Sequence, residues 1–485
     1  HMFSKKSSTS QVARLHISLL IASFLIYLGG QIWQCVSWPP FYSFDETLEI
    51  DYVYQLSQGH LPTFFGGAEF NPLDLQYPYD VQWRYQHPPL FYLVQVPAFL
   101  LADTLHHPIR GIWAMRFVET VLGILAIIAS SWSARKVIGK PFAVTAMVPV
   151  IVASNRCFPS VVLNYTLASL WVILLIGMTA SLIRTTPNGF SGKQLFVWSF
   201  LVALAPLTRT STIPIMCLCG LMVIIHLVLT KCRTLRIWLT SVILPLLLAI
   251  VSSVWFYIRL YRLSGSFTGT QPEWSSTHLG RNTHLNFTQA LFDKDFYISS
   301  FAQYQNSSVT GLRYGWLLVI ALTFLPLFFG FVACIVTLFK KRHFRQTFQS
   351  DASIFIMLVL ALAGTTFQQL LFFKQGGNPN AVYFSLISIV FALFIAYGFS
   401  LFPRWWAAAL SIWLALRGFA FALEIHIRWP FSSEGTMAGA SQYWVWLTLA
   451  GIITVCLGTF IAIIASAKGR KFSPLPLTAF GIATE

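Results

Sequence analysis

The chain has 485 residues, 56% of them hydrophobic and only 10% charged, with a mean hydropathy of +0.66. Soluble proteins carry about 25% charged residues, so this composition excludes a soluble enzyme and indicates a polytopic membrane protein. The net charge of +16 does not indicate nucleic acid, because the Lys and Arg residues sit in short turns between apolar runs, where the positive-inside rule puts them. Seven scattered cysteines form neither a disulfide framework nor a metal-ligand spacing.

A span needs about 20 apolar residues, and Lys and Arg set its orientation. Lys5, Lys6 and Arg14 place the N-terminus inside, so the first span (15–36) rises and the following loop lies outside. If the apolar piece after His87-Pro88-Pro89 also spanned, the basic turn Arg135, Lys136, Lys140 would fall outside. Residues 89–101, short and interrupted by Pro97, are therefore expected to form an interfacial helix within the first outer loop. Spans then follow at 112–133, 141–154, 161–183, 195–208, 213–230 and 237–260. A second polar outer loop covers 265–315, rich in Ser, Thr, Asn and aromatics.

Further spans are expected at 316–339, 352–373, 381–401, 405–422 and 443–466, which makes twelve. Lys340-Lys341-Arg342 and Pro403-Arg404 lie inside, and a loop with Glu424 and Glu434 lies outside. The fold expected is an all-α membrane bundle. It comprises a cytoplasmic N-terminus (1–14), a catalytic transmembrane module (15–262) with outer loop 38–110, a second outer loop (263–315), C-terminal spans (316–467) and a cytoplasmic tail (468–485). Asn164, Asn286 and Asn306 begin glycosylation sequons.

Chemistry concentrates in the first outer loop. Seven of the 16 acidic residues lie there: Asp45, Glu46, Glu49, Asp51, Glu69, Asp74 and Asp80. Carboxylates beside a membrane span cost desolvation energy unless water, substrate or a metal meets them. Asp45 and Glu46 follow the first span directly, where a carboxylate can take a proton from an incoming hydroxyl. Ser43-Phe-Asp-Glu also reads as helix capping, with the acids in a first turn. His87-Pro88-Pro89-Leu90 makes a rigid start to an apolar helix and holds a histidine at the interface.

These residues resemble a family. An Asp-Glu pair after the first span, a long loop closing on His-Pro-Pro-Leu-Phe-Tyr, and Ala114-Met-Arg-Phe before a small-residue span resemble the GT-C superfamily of membrane glycosyltransferases. The likeness is to its protein O-mannosyltransferase and lipid A aminoarabinose transferase branch. Leu207-Thr-Arg209, Trp255-Phe-Tyr and Gln375-Gly-Gly-Asn-Pro-Asn-Ala-Val-Tyr383 echo later motifs of that branch in order, so the likeness covers about positions 15–400.

The resemblance implies transfer of one hexosyl or pentosyl unit, with inversion, from a polyprenyl or dolichyl phosphate to an acceptor hydroxyl. The reaction would occur on the outer or lumenal face of a bacterial plasma membrane or the ER. It makes Asp45 the base and Glu46 its partner. His87, Arg84, Arg209, Arg259, Arg262 and Lys374 would hold the donor phosphate, and Asp51, Tyr85 and Tyr383 would line the substrate pocket. Two departures stand out. The second outer turn, 154–164, has Asn155 and Asn164 where relatives carry an acid, so metal independence and no cofactor are expected. The arginine of the Gln-Gly-Arg-Tyr motif is missing, leaving Asn378 or Lys374 to replace it.

Two rival readings follow from the residues. A secondary transporter or lipid-linked-sugar flippase needs ionisable groups deep in its spans, where only Glu119, Arg116 and Arg417 stand out. A receptor or scaffold could use the acidic loop to bind a partner or calcium, although the acids follow no recognised calcium spacing.

Overall fold

The computed structural model describes residues 2–38, 40–41, 44–72, 80–139, 143–281, 285–341, 345–428 and 442–472. Ser43, Asp74, Lys140, Arg342 and Glu434 lie outside the described residues. Those described form helices, turns and irregular segments without a strand. Among the described residues ten helices are long and apolar enough to cross a membrane, and the chain is an integral, multi-pass membrane protein.

In chain order the principal helices are α1 (Met2–Ser37), α2 (Phe44–Ser57), α3 (Leu90–Leu101), α4 (Pro108–Ile138), α5 (Ala143–Ala153), α6 (Tyr165–Ile183), α7 (Gly192–Thr208) and α8 (Thr212–Leu229). They continue with α9 (Leu235–Ser264), α10 (Gly315–Lys340), α11 (Arg345–Lys374), α12 (Ala381–Ser400), α13 (Trp406–Arg428) and α14 (Gln442–Gly469). The short α3 is the helix expected at the membrane interface.

Two expected spans come out short. All eleven residues of α5 are buried, and at ~1.5 Å per residue it reaches ~16 Å, about half of a hydrocarbon core. The chain then leaves helical geometry over residues 154–164, which are mostly buried as well. Irregular backbone at that depth is tolerated only where protein or a polar cavity surrounds it. The α5–α6 connection is therefore a plug inside the bundle rather than a surface turn. The second short helix, α7, has 17 residues.

Close helix packing fixes the frame. α1 lies along α14, where a Cβ on Gly29 would fall 2.6 Å from the Gly451 carbonyl oxygen, and one on Gly451 would fall 3.0 Å from that of Gly29. Without a hydrophobic drive between helices in lipid, backbones brought together by small residues supply the packing.

At the end of the bundle carrying α2, the second polar segment is not open loop. It folds into the short helices Pro272–Leu279, Phe287–Leu291, Lys294–Ser300 and Ser307–Thr310. A small core of Phe64, Val81, Tyr85, Phe256 and Leu260, flanked by Trp83 and Trp274, joins the first loop to α9 and this segment. Glu424, expected in a loop, belongs to α13 and is buried.

Candidate active site

The acids of α2 separate by helical position into different environments. Glu46 is fully buried and grips Arg116 of α4 through both oxygens, at 2.9 and 2.8 Å. Its Oε1 also accepts from the Val162 N–H at 3.1 Å. Arg116 in turn donates to the Trp38 carbonyl at 2.9 Å. Glu46 thus ties α2 to α4 and to the 154–164 plug, and the expected catalytic partnership with Asp45 has no free oxygen to act through.

Asp51, expected in the substrate pocket, faces the loop instead. It accepts from the Glu69 and Phe70 N–H groups at 2.7 Å each, from Gln55 at 2.9 Å and from Gln82. Burial pushes its carboxyl up to about 6 in spite of these four donors. It clamps the loop closed.

Asp45 is the acid that meets solvent, with its side chain 40% exposed. It pairs with Arg84 of the 3-10 turn Trp83–Gln86, through Nη2 and Oδ1. The same guanidinium places Nε 3.5 Å from Glu49 Oε1 and Nη1 3.3 Å from His87 Nε2. Since Arg84 can only donate, His87 Nε2 accepts and the imidazole is neutral. Burial, reinforced by Arg209 and Arg84, holds its pKa well below the usual histidine range. His87 therefore brings a hydrogen-bonding edge to the site and not the positive charge expected of it.

Glu49, one turn beyond Asp45, was not singled out by sequence reasoning. It is fully buried, and burial pushes it up to about 7 while Arg84, the Tyr92 hydroxyl and Arg209 pull it part of the way back. Tyr92 of α3 stacks on Tyr52 of α2 with centroids 3.6 Å apart.

Arg209, just past α7, supplies the site's second guanidinium. Nη1 donates to Asn164 Oδ1, Nε donates to Ser211 Oγ at 3.1 Å, and the group lies 3.9 Å from the centroid of Tyr165. Its partners are an amide, a hydroxyl and a ring, with no carboxylate in ion-pair contact among the described residues. Arg209 therefore acts on Glu49 only at a distance, without a direct ion pair. Asn164 stands where relatives were expected to carry an acid, and a neutral amide orients Arg209 without cancelling it. Tyr383 packs beside Tyr165, with centroids 6.0 Å apart.

The remaining expected residues are elsewhere. Tyr85 donates to the Gly269 carbonyl at 2.5 Å and belongs to the small core between the two loops. Arg259 donates to the Leu61 and Pro62 carbonyls at 3.1 and 2.7 Å and holds the loop. Arg262 and Lys374 are exposed and make no ion pair among the described residues. The sequon residues Asn164 and Asn306 are buried. No group of three or more metal-ligating side chains occurs among the described residues.

A second buried charge cluster sits on the other side of the plug. Arg156 binds Glu424 at 2.8 and 3.2 Å, and Arg417 of α13 donates to the Ser154 carbonyl at 3.3 Å. The plug is thus held by one ion pair, Arg156–Glu424, and by hydrogen bonds to the charged groups of Glu46, Arg209 and Arg417.

No protein-family model matches the chain, and no curated protein matches it. Among solved structures it is similar to ArnT from Cupriavidus metallidurans bound to undecaprenyl phosphate, with 13% identity and a TM-score of 0.47, over 96% of this chain and 76% of that one. The apo state of the same protein gives 13% identity and 0.43, over 97% and 78%. It is also similar to the apo oligosaccharyltransferase of Archaeoglobus fulgidus, with 13% identity and 0.44, over 94% of this chain. The chain spans 56% of the length of that oligosaccharyltransferase.

Proposed function

We propose that the chain is an inverting glycosyltransferase of the GT-C type, moving one hexosyl or pentosyl unit from a polyprenyl or dolichyl phosphate to an acceptor hydroxyl on the outer or lumenal face. The observation that supports this reading is the presence in one cluster of a partly exposed carboxylate, Asp45, and a guanidinium, Arg209, that makes no ion pair among the described residues. Both belong to the cluster around Arg84, Glu49 and Tyr383. A leaving phosphate needs fixed positive charge, and an attacking hydroxyl needs a base.

In this reading the acceptor oxygen bonds to the anomeric carbon as the carbon–oxygen bond to phosphate breaks. The acceptor's proton passes to Asp45, and the electron pair of the broken bond stays on the lipid phosphate, facing Arg209. Orientation and charge stabilisation do most of the work, because the phosphate is already a fair leaving group. An apolar cavity of about 450 Å³, lined by Phe301, Phe331, Leu362, Phe367, Leu370 and Phe394, suits the isoprenoid tail. It lies near the site, since Phe301 packs against Phe384, the neighbour of Tyr383. We propose that no metal takes part, since the amide of Asn164 stands in the place of an acid.

The test is native mass spectrometry of the full chain, wild type beside Asp45→Asn and Arg209→Met. A polyprenyl-phospho-sugar should co-purify with the wild type, accumulate in Asp45→Asn and be lost from Arg209→Met. A chelator should leave that retention unchanged, and loss on chelation would restore a metal to the mechanism. Only ordinary phospholipids in all three proteins, with sugar movement across proteoliposomes, would replace this reading with the flippase.

A further inference from the structure

Arg84 has one guanidinium and faces two carboxylates and an imidazole. Nη2 meets Asp45, Nη1 meets His87 Nε2 at 3.3 Å, and Nε points at Glu49 Oε1 across 3.5 Å. That last contact is not closed. Arg84 Nε and both Glu49 oxygens are buried without a hydrogen bond of ordinary geometry, although unmade polar contacts of this kind are costly. The close contact goes to Asp45, which is 40% exposed, while the buried carboxylate one turn away is left open.

A base held against a guanidinium is a poor base, because the positive charge favours its ionised form. Asp45 can take a proton readily only once Arg84 loosens its hold. We infer that Glu49 sets the readiness of Asp45 by competing with it for Arg84: when Glu49 ionises, Arg84 closes on it and releases Asp45. Glu49 is a positioning residue in this account, acting through Arg84. The competition needs no glycosyl transfer to exist, and only its consequence for catalysis rests on the reading above.

The surroundings of Glu49 allow such an exchange. From its own helix it faces Asp45 and Tyr52, from α3 Tyr92, from α4 the buried Glu119, and from beyond α7 Arg209. His87 reaches it only through Arg84 and is neutral. Arg84 thus lies within ion-pair reach of both Asp45 and Glu49, whereas Arg209 acts on Glu49 without a direct contact. Burial brings the ionisation of Glu49 to about 7, so the exchange falls near neutral pH.

The experiment is infrared difference spectroscopy of the full chain in nanodiscs, titrated from acid to alkaline pH. The expected result is a protonated-carboxyl band that disappears around neutrality and is absent from Glu49→Gln. Over the same pH range the carboxylate band removed by Asp45→Asn should shift, and that shift should vanish in Glu49→Gln and in Arg84→Met. Arg84→Lys, which keeps the charge but lacks the fork, should also lose the coupling and guards against a folding defect in Arg84→Met. An Asp45 band that does not move around neutrality, or that moves equally in Glu49→Gln, overturns the inference. Donor retention is read separately by mass spectrometry, so failure of the coupling and failure of the glycosyltransferase reading are distinguishable.

Discussion

Glu46 and Glu49 lie three residues apart on one helix, both without solvent, and their surroundings treat them oppositely. Glu46 has a bidentate arginine and a backbone N–H, an arrangement in which removing one partner costs about 3–5 kcal/mol. Glu49 has an incomplete contact and is raised from 4.5 to about 7. The folded protein therefore binds its proton more tightly than the unfolded chain does, and stability is full below the unfolded pKa and falls as pH rises through neutrality. That loss amounts to roughly 3 kcal/mol by pH 8. Glu49→Gln should remove it: the variant unfolds at a higher temperature than wild type at pH 8 and at the same temperature near pH 4, and equal melting temperatures at both pH values would show that Glu49 stays ionised. In the sequence Glu49 is one acid among seven, and nothing in its neighbours separates it from Asp45. The separation comes from Tyr92 and Arg84, brought in by α3 and the 83–86 turn.

Among the elements, the α1–α14 contact and the short α5 carry most consequence. Gly451→Val would drive side-chain atoms into the backbone of α1 near Gly29, a clash that no side-chain rotation relieves. Overpacking of this kind costs about 1–3 kcal/mol or more, so Gly451→Val should lower the melting temperature in detergent by several degrees, whereas Gly418→Ala, with open space around it, should leave it unchanged. The parity of basic turns was enough to set the apolar piece 89–101, which forms the short helix α3, apart from the spans. It did not reveal where α5 stops, because an apolar run reads the same whether it crosses the bilayer or ends inside the protein. Asn155, Arg156 and Asn164 were the legible sign: polar groups at the end of a short apolar run need partners, and here they find Gln303, Glu424 and Arg209. Arg116 and Arg417 stood out in their spans, but their contacts lie 70 and 263 residues away in the chain, beyond the reach of local pattern.

For the whole molecule, the class and the loop that holds the site were readable because apolar length and charge asymmetry are properties of the chain alone. Asp45, Arg84, His87, Arg209 and Tyr383 lie in one cluster, whereas Tyr85, Arg259 and Asp51 hold the loops together. The 17 residues of α7 span ~26 Å, less than a hydrocarbon core of ~30 Å, and its Phe196 and Phe200 face outward, 71% and 48% exposed. Lipid against so short a helix can thin to match it. Arg209 sits immediately past its end, so the thinned patch would carry phosphate headgroups down to the depth of that guanidinium. Reconstitution into bilayers of increasing acyl-chain length should then weaken polyprenyl-phosphate retention steadily, and retention independent of length would mean that the headgroup is drawn in by the protein alone. On the proposed function, the thickness of the host membrane would then govern how readily a donor headgroup reaches Arg209, through the length of α7.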